Sequence, residues 1–216
     1  MDRNYPFIGT AVKLAAIEKL KAAPELQYTR FVTGTFMDYF GPAAIPTYLK
    51  TISLVLDMEH NKAIVPGDGE TPVVLSHSTT IAKFVAASLD LESWPEASFI
   101  IGQRLTMNEL VAIAESVKGV LSLLKTGIGL TAAGAKFEVV HESIADLQAG
   151  NNTELECNIP RYEIIPEATI NYISREWAVA AAKGIIDFPS KGSLNELLPG
   201  VKPLSAREFL SGKIEA

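Results

Sequence analysis

The sequence predicts an α/β fold. Three observations carry that expectation: apolar residues at helical spacing across residues 10–23, β-branched and aromatic density across residues 27–35, and a glycine, Gly34, near the end of that second stretch. Helix, strand and glycine rim, in that order, make half of a βαβ unit.

In the first helix Val12, Leu14, Ala15, Ile17 and Leu20 recur on one side, Lys13, Glu18, Lys19 and Lys21 lie between them, and Pro24 closes the segment. This is the pattern of an amphipathic helix laid on a sheet. Residues 27–35 read as a buried strand, and Gly34 there allows the backbone to approach a ligand closely. Short strands are expected at residues 51–56 and 62–65, around the turn residues Glu59, His60 and Asn61, with a further turn at Gly67-Asp68-Gly69. A strand at residues 73–75 leads to Ser78 or Thr79 as N-cap of a helix over residues 81–89. Residues 98–101 read as a strand, and Thr106 with Glu109 as a capping box for a helix over residues 110–117. Beyond a strand at 137–140 and a short helix at 143–149, helices are expected near residues 166–183 and 206–212.

Composition narrows the function classes. A chain of 216 residues that is 48% hydrophobic can bury one sizeable core. Its net charge of −6, with 19 basic residues spread along the chain, excludes a phosphate-binding patch of the kind nucleic acids require. The single Cys157 forbids an internal disulfide and fits a reducing compartment, and no basic-then-apolar leader or membrane-length apolar run is present, so a cytoplasmic location is expected. His60 and His141 lack acidic neighbours at ligand spacing, so no metal site is expected, and His77 after its strand suits a hydrogen-bonded structural role better than a cleft-facing one.

Several short motifs resemble one family. Pro6-Phe7, Lys13, Ala16-Ile17-Glu18, Tyr28-Thr29 and Gly34-Thr35-Phe36-Met37-Asp38-Tyr39 are similar to the NmrA-like, isoflavone-reductase-like branch of the atypical short-chain dehydrogenases. Pro66-Gly67-Asp68-Gly69, His77-Ser78, residues 81–86, Trp94-Pro95, Thr106-Met107-Asn108-Glu109-Leu110 and Ala114-Glu115 follow in the family's order, with a looser match at Ser193-Leu194-Asn195. The resemblance implies the C-terminal part of an atypical Rossmann-type fold with a small α+β substrate-binding region. It divides the chain into a partial NAD(P)-binding domain at 1–119, an inserted loop at 120–135 and a substrate-binding region at 136–216. Family members open with a Gly-rich loop that holds the NADP(H) pyrophosphate on a helix N-terminus; this sequence shows no such opening, and Met1-Asp2-Arg3-Asn4 leads directly into the middle of the pattern.

The resemblance also implies an activity: NAD(P)H-dependent reduction of a small aromatic or polyketide-type metabolite in secondary metabolism. It assigns Lys13 to the catalytic position, where an ammonium orients the cofactor and stabilises a developing alkoxide or enolate. The tyrosine that many short-chain dehydrogenases place four residues earlier is Gly9 here, so a Tyr-Lys acid is not expected. Lys13, Gly34, Thr35 and Phe36 would face the cofactor, and Phe36, Met37, Tyr39 and Phe40 would wall the substrate pocket. Read from periodicity alone, Lys13 is a solvated lysine and the aromatic residues are core. Thr80 stands where the family usually carries aspartate, which removes a helix-terminus charge match. The expected partner is a small molecule, and a homodimer is compatible with the pattern. Two alternatives share these motifs: a non-catalytic dinucleotide-sensing regulator, and an inactive family member.

Gly127-Ile128-Gly129-Leu130-Thr131-Ala132 matches a loose dinucleotide fingerprint with Asp146 downstream, but it lies within residues 120–135 rather than at a strand-to-helix turn, so a loop is the expected reading. An insert of about 16 residues exceeds the usual two to six of such turns. A translated intron is one source of such an insert, which transcript sequence across codons 119 to 136 tests.

Overall fold

The computed structural model describes residues 10–41, 47, 49, 52–126 and 135–212, and the side chains of residues 121–126 are outside that description. It is a mixed α/β fold with parallel strand pairs. In chain order the elements are α1 (Thr10–Lys21), β1 (Arg30–Val32), β2 (Thr35–Phe36), a 3-10 turn (Met37–Phe40), β3 (Leu56–Asp57), β4 (Lys62–Pro66), β5 (Val73–Ser76) and α2 (Ser78–Ser88). Then come β6 (Ala97–Phe99), β7 (Gln103–Leu105), α3 (Met107–Thr126), β8 (Glu138–Glu142), α4 (Ile144–Ala149), a second 3-10 segment (Glu156–Glu163), α5 (Glu167–Ala182), α6 (Leu194–Leu197) and α7 (Ala206–Leu210).

Three small sheets organise the described residues. β1 pairs with β6 in parallel; β5 lies between β2, parallel to it, and β7, antiparallel; β4 lies between β3, antiparallel, and β8, parallel. The expected strand over residues 27–35 is split into β1 and β2, with the break at Thr33 and Gly34. Gly34 has φ +66°, and its missing Cβ would lie 2.1 Å from the Val74 carbonyl oxygen. This glycine thus permits a close approach to strand β5.

The strand expected at residues 51–56 shrinks to β3. Ile52, Leu54 and Val55 are buried, yet part of this stretch's backbone is satisfied by a side chain: the Ser53 amide donates to Asn158 Oδ1 (2.8 Å), and Asn158 Nδ2 donates back to the Ser53 carbonyl (2.9 Å). A distant asparagine thus takes the place of a neighbouring strand.

Helix starts follow the local chemistry. Thr106 Oγ1 accepts from the Glu109 amide and Glu109 Oε2 accepts from the Thr106 amide, the reciprocal box that begins α3. α3 runs past Gly119 to Thr126, so the first part of the expected insert continues a helix; the Gly127–Ala132 fingerprint motif lies outside the described residues. α2 starts at Ser78, three residues before the expected 81, and its cap is His77, through Thr79, in place of Ser78 or Thr79. Thr80 is buried and its Oγ1 accepts from the Leu204 amide (3.0 Å), so this threonine ties the C-terminal segment to α2.

The main core gathers Met37, Phe40, Leu56, Val65, Leu75, Leu110, Ala114 and Trp177 from the first 3-10 turn, the sheets, α3 and α5. A second cluster joins Phe84, Ile100 and Leu194. α1 does not show the deep burial expected of a helix on a sheet: Leu14, Ile17 and Leu20 are half-buried, and Val12 is 74% exposed.

Candidate functional site

Lys13, the expected catalytic residue, is exposed on α1 and makes no ion pair among the described residues. The other predicted residues form one continuous segment from Gly34 to Phe40, held on the chain by β2. That strand has only two ladder positions, Thr35 opposite Leu75 and Phe36 opposite Ser76. Further fastening comes from α5, where Trp177 Nε1 donates to Thr35 Oγ1 (2.7 Å) and the Trp177 ring meets Phe40 edge-on at 5.5 Å. Met37 and Phe40 are fully enclosed in the main core, so these two expected pocket walls pack against protein instead. Phe36 and Tyr39 are half-buried. Burial, and secondarily the charge of Asp38, pushes the Tyr39 phenol above its ordinary range, so it stays neutral. Trp177 also walls a recess with Ile64, Glu142 and Ser174 that has room for little more than a water molecule.

Replacing Trp177 by phenylalanine removes the indole donor and part of the contact with Phe40. We expect a loss of about 2 kcal/mol, read as a lower urea midpoint at unchanged slope.

Three buried carboxylates, Asp38, Asp57 and Glu142, were not among the predicted site residues. Asp38 is 5% exposed and accepts from the Ser78 amide (3.0 Å), the Ser78 hydroxyl (2.8 Å) and the Thr47 hydroxyl (3.0 Å). Beside it His77 Nδ1 accepts from the Thr79 amide, which leaves the imidazole proton on Nε2. That Nε2 is buried, has no hydrogen-bond partner, and lies 3.6 Å from Asp38 Oδ1. Burial pushes the His77 pKa down and Asp38 only partly opposes it, so the ring stays neutral.

Asp57, fully enclosed, accepts from the amides of Glu59 (3.0 Å), His60 (2.9 Å) and Cys157 (2.9 Å) and from His60 Nδ1 (2.8 Å). Burial pushes the Cys157 thiol up to about 12, which makes it inert as a nucleophile. No group of three or more metal-ligating side chains occurs among the described residues. None of their helices is long and apolar enough to cross a membrane.

Parallel pairs flanked by helices, with the candidate segment at a parallel strand end, define a Rossmann-type α/β fold. No family model matches the sequence. The chain is 28% identical to "Oxidoreductase swnN" of Arthroderma benhamiae over 97% of its own length and 70% of that protein. It is 34% identical to "Oxidoreductase BOA1" of Botryotinia fuckeliana over 51% of its length and 37% of that protein. Among solved structures, a nucleoside-diphosphate-sugar epimerase from Staphylococcus aureus superposes at TM-score 0.63 (20% identity) over 97% of this chain. Isoflavone reductase superposes at 0.56 (16%) over 97%, and the leucoanthocyanidin reductase–NADPH complex of Vitis vinifera at 0.59 (17%) over 98%. The chain spans 61%, 61% and 62% of those three proteins. In sequence the chain is similar to these oxidoreductases, and in fold to the epimerase and the reductases, isoflavone reductase among them.

Proposed function

We propose that the protein is an NAD(P)H-dependent oxidoreductase of the isoflavone-reductase-like type that reduces a small aromatic or polyketide-type metabolite in secondary metabolism. The observation that carries this reading is the match to an oxidoreductase along 97% of the chain. A nicotinamide, when bound, would supply the hydride. The exposed Lys13 ammonium has no ion pair among the described residues, which suits a role against the ribose and the substrate oxygen, where it would stabilise developing negative charge. Thr35 and Phe36 would face the cofactor, and Phe36 and Tyr39 would border the substrate.

The test is titration with NADPH, followed by Trp177 emission and melting temperature. Binding quenches the indole, which already touches Thr35, and raises the melting temperature. In steady-state reduction of aromatic ketone or quinone probes, Lys13→Met is expected to lower kcat about 100-fold. Unchanged turnover in that variant removes Lys13 from the chemistry.

The enclosure of Met37 and Phe40, two expected pocket walls, favours a second reading, a non-catalytic dinucleotide-sensing or inactive family member. A sensor would bind NADPH without turnover, and an inactive member would do neither.

A further inference from the structure

We infer that Asp38 is a positioning residue: its enclosed carboxylate fastens the Thr35–Phe40 segment to the start of α2 and thereby sets where Phe36 and Tyr39 stand. The inference rests on the proposed function only for what that segment binds; the fastening itself stands on the geometry.

Met37 and Phe40 anchor the segment by their side chains in the core, but among the described residues its backbone has few cross-chain bonds. β2 contributes two ladder positions, and the turn Met37–Phe40 has no side-chain N-cap. The cross-chain ties are Trp177 on Thr35 at one end, the Leu54 amide on the Tyr39 carbonyl at the other (3.2 Å), and Asp38 between them. Leaving a carboxylate at 5% exposure is costly unless donors surround it. Here Ser78 supplies its amide and its hydroxyl, and Thr47 supplies a second hydroxyl.

The Ser78 amide is also the first of the 11-residue helix α2, so the helix dipole adds to the attraction. His77 caps the same helix from within, through Thr79, so Asp38 is not needed for that cap. What Asp38 adds is the cross-link, 40 residues apart in sequence, between the helix start and the candidate wall. The orphan His77 Nε2–H, 3.6 Å from Asp38 Oδ1, leaves the carboxylate a neutral neighbour that neither neutralises it nor takes over its bonds.

The experiment compares wild type with Asp38→Asn, Asp38→Ala and Ser78→Ala. Amide hydrogen exchange is expected to accelerate about tenfold at residues 36–41 in Asp38→Ala, with β4 and β5 unchanged. Asp38→Asn keeps an acceptor for the Ser78 amide, and its exchange should stay within about threefold of wild type; Ser78→Ala should fall between. In parallel, the NADPH dissociation constant is expected to rise about tenfold in Asp38→Ala and to be largely rescued in Asp38→Asn, because a loosened wall must be ordered on binding.

Unchanged exchange at residues 36–41 in Asp38→Ala, or acceleration spread over β4 and β5 alike, overturns the inference. If Asp38→Ala fails to fold, Ser78→Ala and Asp38→Asn decide it by the same exchange pattern. If wild type does not bind NADPH, the proposed function fails while the exchange data still decide the fastening. Local acceleration with unaltered NADPH affinity overturns the part of the inference that concerns the ligand wall.

Discussion

Gly34→Ala is expected to lose about 4 kcal/mol of folding stability, by strain and overpacking together. At φ +66° any L side chain is strained, and this alone costs about 1–2 kcal/mol. The larger cost is steric. The new methyl would sit 2.1 Å from the Val74 carbonyl oxygen and 2.8 Å from its carbon, both backbone atoms of β5 that cannot rotate away. β2 would have to move off β5, which breaks the pairings of Thr35 with Leu75 and Phe36 with Ser76.

Gly67→Ala is the control: its φ is +64°, but the nearest atom to the added methyl is Ala182 Cβ at 3.7 Å, so only the backbone strain remains. In urea unfolding the Gly34 variant should therefore lose at least about 2 kcal/mol more than the Gly67 variant, the size of an overpacking clash. Equal losses would mean that β2 shifts freely and that Gly34 is a turn residue only.

This pair also shows what was legible in the sequence. Gly34 was recognisable as a place of close approach, but the partner was not. Nothing within a few residues says that Val74, forty positions on, supplies the obstructing carbonyl. Local chemistry was readable where both partners lie within one helical turn, as for Thr106 with Glu109; the Ser143 cap on the Asp146 amide was not read, its residue being counted inside the helix. Chemistry was unreadable where the partner is remote.

Asn158 standing in for a strand beside Ser53 is one such case, and it explains why the strand expected at residues 51–56 shortened to β3. Asp38 is another: it lies inside a motif that resembles the family, flanked by aromatic residues whose pattern points to a pocket. The pattern Phe36-Met37-Asp38-Tyr39-Phe40 cannot say which side chains turn inward. In the fold Met37, Asp38 and Phe40 do, and Phe36 and Tyr39 stand half-buried. For α1, helical spacing identified the element, but its shallow burial depends on what lies against it, which periodicity does not carry.

Asp57 is the site of the other large expected effect. Asp57→Ala takes an enclosed acceptor from three backbone amides, those of Glu59, His60 and Cys157, and should cost about 3 kcal/mol. Because the Cys157 amide is 100 residues away, this also releases the second 3-10 segment from the β3–β4 turn.

The pH dependence has two limbs of opposite sign. Burial, the largest influence on Asp57, disfavours its charge, but bonds from the His60 and Cys157 amides and the His60 ring prevail and hold its pKa below the ordinary 3.8. Its contribution is thus complete above pH 3.8 and is lost as the pH falls through the lowered value. His60 is shifted the other way. Its bond to Asp57 chiefly raises its pKa above 6.5, with Glu156 and Glu59 adding attraction, while Lys118 faces the same turn through the Met58 and Glu59 carbonyls. Its contribution is complete below pH 6.5 and is lost as the pH rises through the raised value.

The buried His77, with its lowered pKa, produces a slope of opposite sign below pH 6.5, so wild type alone does not isolate His60. The informative quantity is the stability difference between wild type and His60→Gln, measured by urea unfolding from pH 5 to 9. It should be largest at the acid end and shrink steadily above pH 6.5 as the His60 ring loses its charge beside Asp57. A difference independent of pH would mean that the His60–Asp57 bond is as strong with a neutral ring as with a charged one.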